Sequence, residues 1–267
     1  MNQAPLKLPD TLTHQIHEKI LRTLQDLRFA TTKQLARLTS ADYGNDRSAL
    51  RQTMRHLKTL AEHDLVRSLE RRVGGWEGGS QNTIWALTTR GHRLLTDSPA
   101  RQRPHLISTT FLEHLLAVAE TRVIITETAN AHAGITATVT GEPGCWRQHL
   151  GHHGQMLTLK PDLHLTIQSP EFRDSYFLEV DRATENPKRV VTTCWSYQHY
   201  RLTGAEQKSA GVFPAVIWIV PNVKRREQLR RHLNEEPRLP QELFTVITLE
   251  ELPELLRNGP PSATQQV

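Results

Sequence analysis

The segment from Lys160 to Arg182, KPDLHLTIQSPEFRDSYFLEVDR, decides how this chain is read. It holds two apolar, strand-like runs. One passes through Leu163, Leu165 and Ile167, the other through Tyr176, Phe177, Leu178 and Val180. Each run carries acid: Asp162 directly after Pro161 in the first, Glu179 and Asp181 in the second. Side chains repeat every second residue along a strand, so Glu179 and Asp181 share a face. If the two strands pair, Asp162 can join them. Carboxylates gathered on a buried sheet are costly unless a cation or hydrogen bonds compensate. Asp162, Glu179 and Asp181 are therefore the candidate catalytic group. Asp162 and Glu179 are of the type that holds Mg²⁺ or Mn²⁺.

Working outward from this segment, the second part of the chain alternates helix and strand. A helix is expected from about Ser108 to Thr121, with Phe111, Leu112, Leu115, Val118 and Ala119 inward. Strands follow at Ile135 to Thr140, Leu157 to Gln168 and Ser175 to Arg182. Next come a helix from Pro187 to Arg201 and the run FPAVIWIV, Phe213 to Val220. That run is apolar enough to be a central strand buried on both faces. Val223 to Leu233 reads as a helix whose Lys224, Arg225, Arg226, Arg230 and Arg231 suit either a second phosphate-contacting surface or a solvated basic face. Phe244 to Leu249 reads as a strand, and Glu250 to Arg257 as a short helix. The segment CWRQHLGHH, with Cys145, His149, His152 and His153, has some zinc-like character. It lacks a second ligand cluster and reads as a polar loop.

The first part has a different plan. Helical periodicity runs through Leu12, Ile16, Ile20, Leu24 and Leu27, then a short helix follows Thr31-Thr32. Asp46 can cap a third helix with Leu50, Met54, Leu57 and Leu60 on its apolar face. Two strand-like runs, Leu65 to Val73 and Thr83 to Leu87, flank a Gly-rich tip. Three helices and a β-hairpin make the winged-helix plan. The third helix then offers Arg47, Arg51, Gln52, Arg55 and Lys58 to DNA, and the wing offers Arg71 and Arg72. The same residues also suit a plain solvated face.

Charge supports the polyanion reading. Residues 1–100 contain 15 Lys and Arg against 10 Asp and Glu, and residues 101–267 contain 18 of each. The whole excess of +5 sits in the first part. A localised basic excess favours duplex DNA as partner, with affinity that falls steeply with salt. No apolar run approaches the roughly 20 residues that span a membrane. Two cysteines give no disulfide framework. These features point to a cytoplasmic protein without a membrane partner. The domain plan is a winged-helix domain over residues 1–97, a linker over 98–107, an α/β domain over 108–257 and a disordered tail over 258–267.

The Pro-Asp strand followed by an acidic strand resembles the PD-(D/E)xK nuclease-like superfamily. More narrowly, LKPDLHL, YFLEVDRATENPKR and WSYQHY together look like the replication-relaxation family of mobile-element and plasmid proteins. The resemblance implies an α/β (α+β) chain: an N-terminal winged helix-turn-helix followed by a PD-(D/E)xK-like domain with an L-E-x-D-R segment. It also implies work on double-stranded DNA in replication, transfer or maintenance, beside other mobile-element proteins. A homodimer is compatible with it.

One position departs from the nuclease pattern. Asp181 stands where an active enzyme of that superfamily has lysine. A carboxylate cannot stabilise charge developing on a phosphate. Lys188, Lys160 or Arg182 are the candidate surrogates, and Glu113 or Glu120 could complete a metal shell. Tyr197 and Tyr200, within WSYQHY, suit the core or a hydrogen bond to a site residue better than nucleophilic attack. Three functions remain open: a DNA-binding protein whose nuclease-like domain lacks full activity, a Mg²⁺- or Mn²⁺-dependent endonuclease with a rearranged site, and a winged-helix transcriptional regulator.

Overall fold

The computed structural model describes residues 12, 15–43, 45–69, 83–96, 108–151 and 154–259. The wing tip with Arg71 and Arg72, the expected linker 98–107, His152, His153 and the tail from residue 260 lie outside these. The fold is mixed α/β, and the chain divides into two units, residues 1–123 and 124–267. No helix among the described residues is long and apolar enough to cross a membrane.

The first unit opens with α1 (Gln15–Leu27), the two-residue strand β1 (Ala30–Thr31) and α2 (Thr32–Leu38). Thr31 starts α2 through a reciprocal cap. Its Oγ1 accepts from the Gln34 N–H at 3.1 Å, while its own N–H donates to Gln34 Oε1 at 3.0 Å. Then come α3 (Asp46–Glu62), β2 (Val66–Leu69), β3 (Ile84–Leu87) and α4 (Thr89–Thr96). The three strands form one antiparallel sheet in the order β1-β3-β2. Leu12, Ile20, Leu24, Leu35, Leu57, Leu60 and Leu87 fill the core between helices and sheet.

Two details of α3 differ from the sequence expectation. Its cap is Asn45, whose Oδ1 accepts from the Ser48 N–H at 2.9 Å, not Asp46. The buried stripe is Ala49, Thr53, Leu57 and Leu60. Met54, expected inside, is 36% exposed. Two small residues face the core, and the larger Met54 was the more visible to a hydrophobicity count.

Helix α5 (Thr109–Ala131) is ten residues longer than its expected end at Thr121. The division between units falls inside it. Its first half packs Leu112 and Leu115 with Phe29, Ile84 and Ala86, while Phe111, expected inward, is 40% exposed.

The second unit is built on a five-stranded sheet in the order β10-β9-β8-β7-β4. Its strands are β4 (Thr136–Gly141), β7 (Leu163–Gln168), β8 (Arg173–Val180), β9 (Ala215–Val220) and β10 (Phe244–Thr248). Strand β7 runs antiparallel to both β4 and β8, and β8, β9 and β10 run parallel. Strand β9 is an inner strand with Val216 to Val220 all buried. Helices α6 (Pro187–Leu202) and α8 (Val223–Asn234) join Phe177, Val216 and Trp218 in one core, through Val190, Cys194, Tyr197, Leu229 and Leu233. The short helices α7 (Ala205–Ala210) and α9 (Leu252–Asn258) complete the unit.

The expected strand Leu157 to Gln168 is two strands. It breaks at Lys160-Pro161-Asp162, where proline supplies no N–H to a ladder. Its first part is β6 (Met156–Leu159), which pairs with β5 (Arg147–Leu150) as a separate two-stranded sheet. The expected polar loop at CWRQHL is therefore partly a strand.

Candidate functional site

Alternation along β8 turns Phe177 and Glu179 toward α6. The Phe177 ring lies 5.6 Å from that of Tyr197, and the Tyr197 hydroxyl donates to Glu179 Oε1 at 2.5 Å. The last register pair of β7 and β8 is Leu163 with Leu178. One step further sets Asp162 opposite Glu179. Asp162 Oδ2 accepts from the Val180 N–H at 2.7 Å, and its own N–H donates to the Leu178 carbonyl at 3.1 Å. The segment after Pro161 thus closes onto the end of β8, which fixes Asp162 by backbone geometry rather than by a rotamer alone.

Glu179 is half-buried, and its Oε1 is held by the Tyr197 hydroxyl. Burial pushes its pKa well above the usual carboxylate value, and the Asp162 charge pushes the same way. Tyr197 donates against this trend. The phenol of Tyr197 is itself raised well above its ordinary value, first by burial and then by Glu179. A carboxyl in this setting favours its protonated form.

Asp181 continues the strand and its N–H donates to the Ile219 carbonyl at 2.9 Å, but its side chain has a different partner. Arg225 of α8 grips it with two bonds, Nε to Oδ2 at 2.6 Å and Nη2 to Oδ1 at 3.1 Å. The Ala183 N–H adds a third at 3.1 Å. Arg225 Nη2 also donates to the Glu185 carbonyl at 2.7 Å. The two side chains are 5% and 2% exposed, so this is a buried bidentate ion pair. The Asp181 charge is thereby neutralised within the fold.

The other candidates scatter. Lys160 holds its ammonium 4.5 Å from the centre of the Trp146 ring. Lys188 is exposed in the first turn of α6. Glu120 is engaged by Arg37 and by Gln34 Nε2, the latter at 3.1 Å. Cys145 is buried with its Sγ donating to the Pro161 carbonyl at 2.9 Å, and burial pushes its thiol up to about 12. Among the described residues no group of three or more His, Cys, Asp and Glu is placed to hold a metal ion. Mg²⁺ is commonly held by one or two carboxylates, with water and substrate phosphate completing its shell. Glu179 favours its proton, Asp162 already serves Val180, and Asp181 belongs to Arg225. Asp181 is thereby taken, and Asp162 and Glu179 remain as two adjacent carboxyl groups.

Sequence reasoning missed Glu206 and Arg147, and it read Arg225 as part of a phosphate-contacting or solvated face, whereas Arg225 is buried against Asp181. Glu206 is 4% exposed and accepts from Tyr200 at 2.5 Å and from Arg147 Nε at 2.9 Å. Only Arg225 left a signal. It stands four residues before Leu229 and eight before Leu233, on the buried stripe of α8. A guanidinium there requires a buried anion.

On α3, Arg47, Arg51, Arg55 and Lys58 are exposed, and Gln52 is half-buried beside them. They recur at helical spacing on one face, around Met54. Lys58 lies 4.0 Å from Glu62. None of Arg47, Arg51 and Arg55 forms an ion pair among the described residues.

The model of the family described as Replication-relaxation matches residues 21–216. The chain belongs to this family. Replication-relaxation likeness thus covers α3, Asp162, Glu179 and Asp181. It stops inside β9, before Arg225 and the rest of α8. No curated protein and no solved structure matches the replication-relaxation chain.

Proposed function

We propose that this protein binds double-stranded DNA in the replication, transfer or maintenance of a plasmid or mobile element. In this reading residues 1–97 are a winged-helix domain, with α3 as recognition helix and the β2–β3 hairpin as wing. Residues 108–257 are a PD-(D/E)xK-like domain without full catalytic activity, serving as a platform for DNA or for other mobile-element proteins. The observation that carries the reading is the row Arg47, Arg51, Arg55 and Lys58, exposed on one face of α3. Arg47, Arg51 and Arg55, without an ion pair among the described residues, suit phosphates and base edges, and Lys58 beside Glu62 extends the row. Family membership supports the setting.

The second domain argues against hydrolysis through its own hydrogen bonds. Each of the three carboxylates already has a protein donor, and the lysine position carries the Asp181–Arg225 pair. Losing one preorganised electrostatic contact to a transition state commonly costs about 2.7–4 kcal/mol. The second reading, a metal-dependent endonuclease, keeps one observation in its favour: Asp162 and Glu179 stand side by side. Fluorescence anisotropy with labelled duplex across a salt series tests DNA binding, and a slope near zero would refute it. Incubation with supercoiled DNA and Mg²⁺ or Mn²⁺ tests hydrolysis. Cleavage by the native protein that vanishes in Asp162→Ala would replace the first reading with the second.

A further inference from the structure

The five-stranded sheet ends differently on its two sides. On one side lies β10, whose five residues are all buried. Helix α8 closes that side, and Arg230 Nη2 donates to the Val246 carbonyl at 3.0 Å. On the other side lies β4, Thr-Ala-Thr-Val-Thr-Gly. Among the described residues its one strand neighbour is β7. Among the described residues, no hydrogen bond beyond that pairing engages Thr136 to Thr140. Thr136 and Thr138 are exposed.

An open strand edge is a template for another strand, and proteins commonly blunt it with charge, proline, bulges or short length. Strand β4 has none of these. It is six residues long, regularly paired along its whole length with β7, and free of Lys, Arg, Asp, Glu and Pro. Every residue from Thr136 to Thr140 except Ala137 is β-branched, the type that suits a pleated surface. The short sheet of β5 and β6 offers a contrast, since its four-residue strand β5 carries Arg147 and His149.

We propose that β4 pairs antiparallel with β4 of a second copy of this chain, joining two sheets into one across a two-fold axis. The occupant is a second copy because the edge is self-complementary. A closed two-fold contact sets a strand against itself, which like charges would oppose and a neutral strand permits. A register centred on Thr138 sets Thr138 against its own equivalent and Thr136 against Thr140. On the opposite face it sets Ala137 against Val139. Thr–Thr and β-branched cross-strand pairs of this kind are favourable.

The test uses the full chain, free of DNA, in sedimentation velocity over a wide concentration series. The expected result is a mass that rises from the 30.5 kDa monomer toward twice that value. Thr138→Lys puts two ammonium groups face to face at the axis and should hold the chain monomeric throughout. Because Thr138 is exposed, its thermal melt should match that of the native chain at low concentration. The double variant Thr136→Lys with Thr140→Lys, which the same register sets face to face, serves as a second variant with the same expectation. Thr138→Cys should form a disulfide-linked dimer on mild oxidation, since Cys145 and Cys194 are buried. A native chain that stays monomeric at every concentration, or a dimer that survives both lysine variants, overturns the proposal.

Discussion

Helices α3 and α8 look alike in sequence and are used in opposite ways. Helix α3 carries Arg47, Arg51, Arg55 and Lys58, and α8 carries Lys224, Arg225, Arg226, Arg230 and Arg231. On α3 the guanidinium groups stand exposed without a described ion-pair partner. On α8 they hold the second unit together. Arg225 clamps Asp181, Arg226 pairs with Glu251 and Glu227, and Arg230 reaches the Val246 carbonyl. Counting charge cannot separate these roles. Placing each residue against the apolar stripe of its helix can. Arg225 falls on the stripe of Leu229 and Leu233, whereas Arg47, Arg51 and Arg55 fall off the stripe of Ala49, Thr53, Leu57 and Leu60.

The contrast breaks first at Arg225. Removing one partner of a buried ion pair strands the other charge, which typically costs about 3–5 kcal/mol. Arg225→Ala should therefore lower unfolding stability by that order in urea, the largest effect anticipated here. Asp181→Ala should cost a similar amount, and the double variant less than the sum of the two. Stability unchanged in Arg225→Ala would mean that α8 is no more structural than α3.

The same pairing shows what the sequence could and could not disclose. Alternation was enough to put Glu179 and Asp181 in phase along the strand, and the pairing of β7 with β8, on which the place of Asp162 depended, brings Asp162 opposite Glu179. The unbroken run Val216 to Val220 was enough to place an inner strand. The break of the expected strand at Lys160 to Asp162 was hidden because apolar residues stay in phase through Leu157, Leu159, Leu163 and Leu165. Only the missing proline N–H interrupts them. The fate of Asp181 was hidden for another reason. Its partner lies 44 residues later, and nothing local specifies a contact made through tertiary packing.

On α3 the expected pattern is the reverse of that on α8. Arg51→Ala with Arg55→Ala should leave stability within about 0.5 kcal/mol, as exposed substitutions usually do. Duplex affinity should fall by about 1–3 kcal/mol for each lost specific contact, with a shallower dependence on salt. Anisotropy and urea melts on one protein batch separate the two quantities. A stability loss equal to the affinity loss would erase the distinction.

Glu179 sharpens the comparison within the second unit, because it sits two residues from Asp181 without a cationic clamp. Its native pKa is raised, first by burial. Below the ordinary carboxylate value both native and unfolded chains carry the proton. Between that value and the raised one only the native chain holds it, so stability should decline as pH rises through this window. Glu179→Gln keeps an acceptor for Tyr197 and removes the titration. At neutral pH it should gain about 1.4 kcal/mol relative to the native chain for each unit of upward shift, and near pH 4 the gain should vanish. Thermal melts across pH measure this. A Gln variant that is less stable at neutral pH would show that the ionised Glu179 carboxylate is wanted there, as a metal site would require.

The smallest effects belong to the outer cations of α8. Lys224 and Arg231 are exposed, unlike Arg225 four residues before Leu229. Lys224→Ala and Arg231→Ala should each change stability by no more than about 0.5 kcal/mol, the usual range for surface sites. If DNA is bound through α3, both should also leave duplex affinity and its salt slope close to native, since neither neutralises a phosphate in that reading. An affinity loss as large as that of the α3 double variant would make α8 a second DNA surface. The line between the two basic helices would then be one of partial use, with Arg225, Arg226 and Arg230 turned inward and Lys224 and Arg231 turned to the duplex.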